Sequence, residues 1–69
     1  MQDIDIRNYI INNFKGDSVK DIEQSIDMVV ESKADDPLIG LGVLFEVMWK
    51  NSDNDLKNTI LENIKKGLN

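Results

Sequence analysis

The sequence predicts an all-α fold, a compact small helical domain of about four short helices. Three observations predict it. Apolar residues recur every three or four positions in four separate segments, the period of a helix with one covered face. Glycine, proline and Ser/Asp-rich runs separate those segments where helix ends need them. The one continuous apolar run, Leu38 to Phe45, has no obvious partner strand elsewhere. At 69 residues the chain makes one domain, 1–69, near the small end of what folds unaided. The helices are expected at about 4–14, 19–32, 38–50 and 53–66.

In the first segment Ile6, Tyr9, Ile10 and Phe14 recur at i, i+3, i+4 and i+8, giving one apolar face. Asp3 or Asp5 is placed to cap it. Gly16 ends the pattern, where a left-handed residue is cheap. The second segment opens with Ser18 as N-cap and Asp21 three residues on, a shorter-armed relative of the capping box. Val19, Ile22, Ile26, Val29 and Val30 follow at helical offsets, between polar positions such as Asp21, Glu23, Asp27 and Glu31. Their β-branching lowers intrinsic helicity, so tertiary burial has to hold this helix.

Pro37 suits the first helical position after an Asp36 cap. In the third segment Leu41, Leu44, Phe45 and Met48 make one face, while Leu38, Ile39, Val43, Val47 and Trp49 cover most of the rest. Only Glu46 and Lys50 are charged, in the favourable i,i+4 order. A helix apolar nearly all round is either surrounded by its neighbours or buried against another chain. Gly40 and Gly42 each cost about 1 kcal/mol against Ala. Their absent side chains permit close backbone approach, or they mark a broken first turn with the helix proper starting near Gly42. A buried strand over Leu38–Phe45 is the third reading. In the fourth segment Ser52 is the expected cap, with Asp53 and Asp55 in the first turn. Leu56, Ile60, Leu61, Ile64 and Leu68 make its stripe, Lys65 and Lys66 complement the dipole of its last turn, and Gly67 reads as the terminator.

Charge and composition exclude more than they assign. Formal net charge is −5. Residues 1–36 hold nine acids against four bases, and residues 37–69 hold four of each, so the acidity belongs to the N-terminal half. An acidic field repels phosphate backbones, which argues against nucleic acid as a partner. The chain has no Cys and no His, which excludes the commonest zinc, haem and thiol sites and any His relay. Two acids in "MQDIDIRN" stand where a signal peptide needs positive charge. The apolar run is far short of the roughly 20 residues a membrane span needs. An intracellular chain with no membrane association is expected.

No constellation supports catalysis. Ser18, Ser25, Ser32, Ser52 and Thr59 have no His or Cys beside them to act as a base. The pairs Asp3/Asp5, Asp35/Asp36 and Asp53/Asp55 sit at helix starts, where solvated carboxylates cap rather than react. Asn51, Asp53, Asp55, Lys57, Thr59 and Glu62 echo the spacing of a calcium loop. The echo fails at Leu56, which replaces the glycine that lets such a loop turn. "GLG" at 40–42 lacks the third glycine of a dinucleotide fingerprint. No catalytic residue, metal, cofactor or small-molecule substrate is therefore expected. Tyr9 and Trp49 are the aromatic candidates for contact with a partner, with a core position the competing reading for Trp49.

The run Gly40-Leu41-Gly42-Val43-Leu44-Phe45-Glu46 with Trp49 beyond it is preceded by "IRNYIINNF" and Gly16, and followed by "KNSDNDLKN" and a closing "KKGLN". This pattern resembles the minor small acid-soluble spore protein I family of endospore-forming bacteria, over nearly the whole chain. One departure is visible: the family reads Leu-Pro-Gly before Leu-Gly, whereas Leu38-Ile39-Gly40 stands here, with the proline at Pro37. The resemblance implies a non-enzymatic protein of the forespore and the dormant spore core, with no catalytic residues to carry over. Two readings of its action follow. In the first it works by packing or protein–protein contact through the third helix, with Gly40, Val43, Leu44, Val47 and Trp49 as the surface and a homodimer or another spore protein as partner. In the alternative it associates with nucleic acid through a local patch of Lys57, Lys65 and Lys66.

Overall fold

Four helices make up the computed structural model, which describes residues 5–69: α1 (Ile6–Phe14), α2 (Val19–Ser32), α3 (Leu38–Lys50) and α4 (Asn54–Leu68). No strand occurs among the described residues, and the all-α expectation is borne out. Asp3 and Ile4, part of the expected start of the first helix, lie outside the described residues.

Local chemistry explains the ends, with some differences from expectation. Asp5 caps α1, its carboxylate accepting from the Asn8 N–H at 3.1 Å. Ser18 caps α2, accepting from the Asp21 N–H at 3.1 Å. Among the described residues the left-handed one is Lys33 (φ 57°), at the end of α2, and no described glycine has positive φ. Gly16 thus follows α1 without the conformation expected of it. Ser32 helps close α2, donating to the Val29 carbonyl at 2.8 Å and accepting from the Ala34 N–H at 3.2 Å.

Helix α3 runs unbroken from Leu38, so the strand and late-start readings of 38–45 are corrected. Pro37 occupies the cap position itself rather than the first helical one, and no side chain caps this end. The expected Asp36 cap is replaced by a backbone bond, Leu38 N–H to the Asp35 carbonyl at 3.0 Å. At the other end Asn51 N–H reaches the Val47 and Met48 carbonyls, and the Ser52 hydroxyl donates to Met48 O at 2.6 Å. Ser52 therefore closes α3, and Asp53 caps α4 in its place, accepting from the Leu56 N–H at 2.9 Å. The Asp53 carboxylate, one residue later, serves an otherwise unpaired N–H of the same first turn. Gly67 lies within α4, which continues to Leu68.

Helices α1 and α2 both pack on α3, the central element, while α4 leaves from its C-terminal end. Val43 is the one buried side chain among the described residues, 6% exposed. Around it Ile10, Ile11, Phe14, Ile22, Ile26, Val29, Leu41 and Leu44 are half-buried, which places Ile11 on the covered face of α1 and leaves Ile6 and Tyr9 exposed. Val19 and Val30 of the expected α2 face also point to solvent.

The glycines of α3 have no close neighbour in the chain. A Cβ added at Gly40 or Gly42 meets no atom of another element within 4 Å. Gly42→Ala is accordingly expected to raise stability by about 1 kcal/mol, the helix-propensity difference, and Tm by about 4–8 °C. Thermal melts followed by circular dichroism check this. A drop in Tm would mean that something does approach Gly42.

Candidate interaction surface

The α1–α3 seam is pinned by one ion pair. Arg7 Nε and Nη2 donate to the two Glu46 carboxylate oxygens at 2.7 and 3.0 Å, a fork-to-fork geometry between residues 39 apart in sequence. The hydrogen bond from Arg7 is the main influence holding the Glu46 carboxyl below its ordinary value of 4.5; the Arg7 and Lys50 charges add to it against partial desolvation. The same bond raises the Arg7 pKa, so the guanidinium stays charged throughout. A carboxyl whose pKa is lower folded than unfolded stabilises the fold above the unfolded pKa and loses that contribution as pH falls through the folded one. Wild type is thus expected to melt above Glu46→Gln at pH 7, with the gap closing as pH falls below about 4.5. A gap that stays constant from pH 7 to 3 would show that the pair is not coupled to folding.

The five candidate surface residues fall in four environments. Val43 is inside the chain, where α1 meets α3. Gly40 and Leu44 are half-buried and face α2, beside Phe14, Ile26 and Val29. Val47 is exposed. Trp49 stacks on Phe45, one turn back, with ring centroids 5.7 Å apart and planes 18° from parallel, and Lys57 of α4 lies 5.1 Å from the centroid of the Trp49 ring.

An open groove of about 410 Å³ runs between α2 and α3. Ile22 and Ile26 form one wall; Leu41, Leu44, Phe45, Val47 and Met48 form the other. Sequence reasoning found Leu44 and Val47 but missed Phe45 and Met48 as surface, because on a helix apolar all round the period cannot say which stripe the neighbours leave uncovered. The α2 pattern, with Ile22 and Ile26 one turn apart, was the signal for the opposite wall.

The lysines of the alternative reading are spread out. Lys57 is in the first turns of α4 and engaged with Trp49, whereas Lys65 and Lys66 are in the last turn, about 12 Å further along the axis at 1.5 Å per residue. Among the described residues no group of three or more acids is placed to hold a metal ion, and no helix is long and apolar enough to cross a membrane.

The model of the family described as small, acid-soluble spore protein I matches residues 4–68. A protein of that name from Shouchella clausii is 44% identical over 64 residues, 93% of each chain. Proteins of the same name from Bacillus cereus (strain G9842) and Bacillus anthracis (strain A0248) are 38% and 36% identical over 63 residues, 91% of each chain. No solved structure matches the chain. With the family model covering almost every residue and relatives of this identity along nearly the full length, the chain belongs to the small, acid-soluble spore protein I family.

Proposed function

We propose that the chain is a non-enzymatic protein of the forespore and the dormant spore core that acts through protein–protein contact, with α3 and its α2-facing groove as the contact surface. One observation carries this reading. Helix α3 is apolar nearly all round, and its own chain buries only one of its side chains, Val43. Leu38, Ile39, Phe45, Val47 and Met48 remain exposed on the same helix. A contiguous apolar patch with few charges is a protein-contact surface rather than a resting state in water. Gly40, Leu44, Val47 and Trp49 belong to that surface, and Val43 supports it from within.

The test is capture of partners by the tagged chain from extracts of sporulating cells, beside Leu44→Asp and Trp49→Asp variants. Loss of the same partner with both variants, each still helical by circular dichroism, supports the surface, and unchanged capture by both removes it. Duplex DNA binding is the second arm. The lysine reading requires salt-sensitive binding at ~50 mM salt, and the negative net charge together with the separation of Lys57 from Lys65 and Lys66 leads us to expect none.

A further inference from the structure

We propose that the α2–α3 groove receives helix α4 of a second copy of the chain, and that two copies exchange α4 reciprocally about a two-fold axis. This rests on the reading of α3 as a contact surface and names the occupant of its groove.

Helix α4 carries an apolar stripe that its own chain leaves largely uncovered. Leu56, Leu61, Ile64 and Leu68 are 49%, 50%, 41% and 77% exposed. None of them lines the groove of the same chain. The turn at 51–53 is fixed by the Ser52 and Asn51 bonds to the end of α3, and Lys57 is held over Trp49. Each chain therefore presents an open apolar groove and an amphipathic helix that does not fill it. A two-fold axis satisfies both surfaces of both copies at once and closes the assembly.

The surface area has the right size. A compact monomer of 7.9 kDa exposes about 4,400 Å² by the usual scaling, and this chain exposes 5907 Å². The excess is about 1,500 Å², and about 1,000 Å² of it remains after the most that four residues could expose, about 500 Å² net, is taken off for the part outside the described residues. A standard interface buries about 800 Å² per partner. The radius of gyration agrees: 13.6 Å, against about 11 Å for a compact chain of this length.

The charges match as well. Helix α2 has one lysine and four acids, net −3, while α4 has three lysines and two acids, net +1. Glu23 and Asp27 follow directly on the two isoleucines of the groove wall, and Lys65 and Lys66 follow directly on Ile64. An α4 laid in the groove brings the Lys65/Lys66 end of its stripe to this acidic rim, while Asp55 and Glu62 flank the rest of it. The lysine end fixes orientation and favours a second copy over a strongly acidic helix.

Light scattering after size exclusion, at about 100 μM chain, tests the exchange. Wild type is expected at twice 7.9 kDa. Two variants substitute exposed positions, so each chain keeps its own fold: Val47→Lys/Met48→Lys in the groove and Leu61→Asp/Ile64→Asp on α4. Each alone is expected to be monomeric, with dimerisation weakened on the order of 100-fold, and helicity by circular dichroism confirms folding. Mixed one to one, they are expected to form a heterodimer, since one intact groove then meets one intact α4. Absence of that heterodimer, with both variants folded, overturns the exchange. A wild-type dimer broken by the groove variant but not by the α4 variant also overturns it, and leaves the α3 contact surface standing. A monomeric wild type overturns it too, while the partner-capture experiment decides the α3 reading separately.

Discussion

Val43→Asp is expected to leave a chain with no cooperative thermal transition. Val43 is the one side chain among the described residues that the fold buries, at 6% exposed. It sits at the α1–α3 seam, beside Ile6, Arg7 and Ile39. A carboxylate placed there loses hydration worth several kcal/mol. Arg7 is near, but it is already committed to both oxygens of Glu46. A single core of this size supplies no more than about 3–5 kcal/mol of net stability, so the substitution consumes all of it. Val43→Ala is the graded control. It removes two methyl groups, about 1.6 kcal/mol of transfer free energy, and should lower Tm while keeping a cooperative melt. Circular dichroism at 222 nm against temperature reads both. If Val43→Asp melts cooperatively within a few degrees of wild type, the fold is not organised on this seam and its stability comes from contacts between chains.

Much of this architecture could be read from the residues, for reasons that differ along the chain. Ser18 was legible as a cap, and Asp5 as one of two candidates beside Asp3, because capping is a local bond across three residues. The stripes of α2 and α4 were legible because each helix separates apolar from charged positions, but period did not say how far the chain covers them: Val19 and Val30 of α2 and most of the α4 stripe stay exposed. Helix α3 was not legible in this way. With apolar residues on nearly every side, its pattern leaves the choice of faces to α1 and α2, and only their docking shows that Val43 is inside while Phe45 and Met48 stand out. The Arg7–Glu46 pair was hidden for the same reason. Sequence offered Lys50 as the i,i+4 partner of Glu46, and the partner actually hydrogen-bonded is 39 residues away. The shift of the α4 cap from Ser52 to Asp53 is the remaining kind of miss. Two capping residues in a row serve two adjacent helix ends, and the closing of α3 takes the first of them.

The same dependence on docking gives Trp49 its weight, and the second large effect is expected there. Trp49→Ala removes the stack on Phe45, worth about 0.5–1.5 kcal/mol, and the contact with Lys57, worth about 0.5–1 kcal/mol at an exposed site. It also uncovers apolar surface on the half-buried indole, for a total of about 2–3 kcal/mol. That is half or more of what a domain of this length can hold. With a urea slope of about 1 kcal/mol per molar, the midpoint should fall by about 2 M. Circular dichroism is the suitable probe, because the substitution removes the sole tryptophan. A companion series separates the contributions. Trp49→Phe keeps a ring over Phe45 and should recover most of the loss, whereas Lys57→Ala removes only the cation and should cost least. The order Trp49→Ala, then Trp49→Phe, then Lys57→Ala in decreasing cost is the signature of a tryptophan that joins α4 to α3 through its faces. Equal costs for Trp49→Ala and Lys57→Ala would mean that the ring serves α4 alone. A Trp49→Ala midpoint within about 0.3 M of wild type would mean that the indole contributes nothing to the isolated fold and is held for a partner.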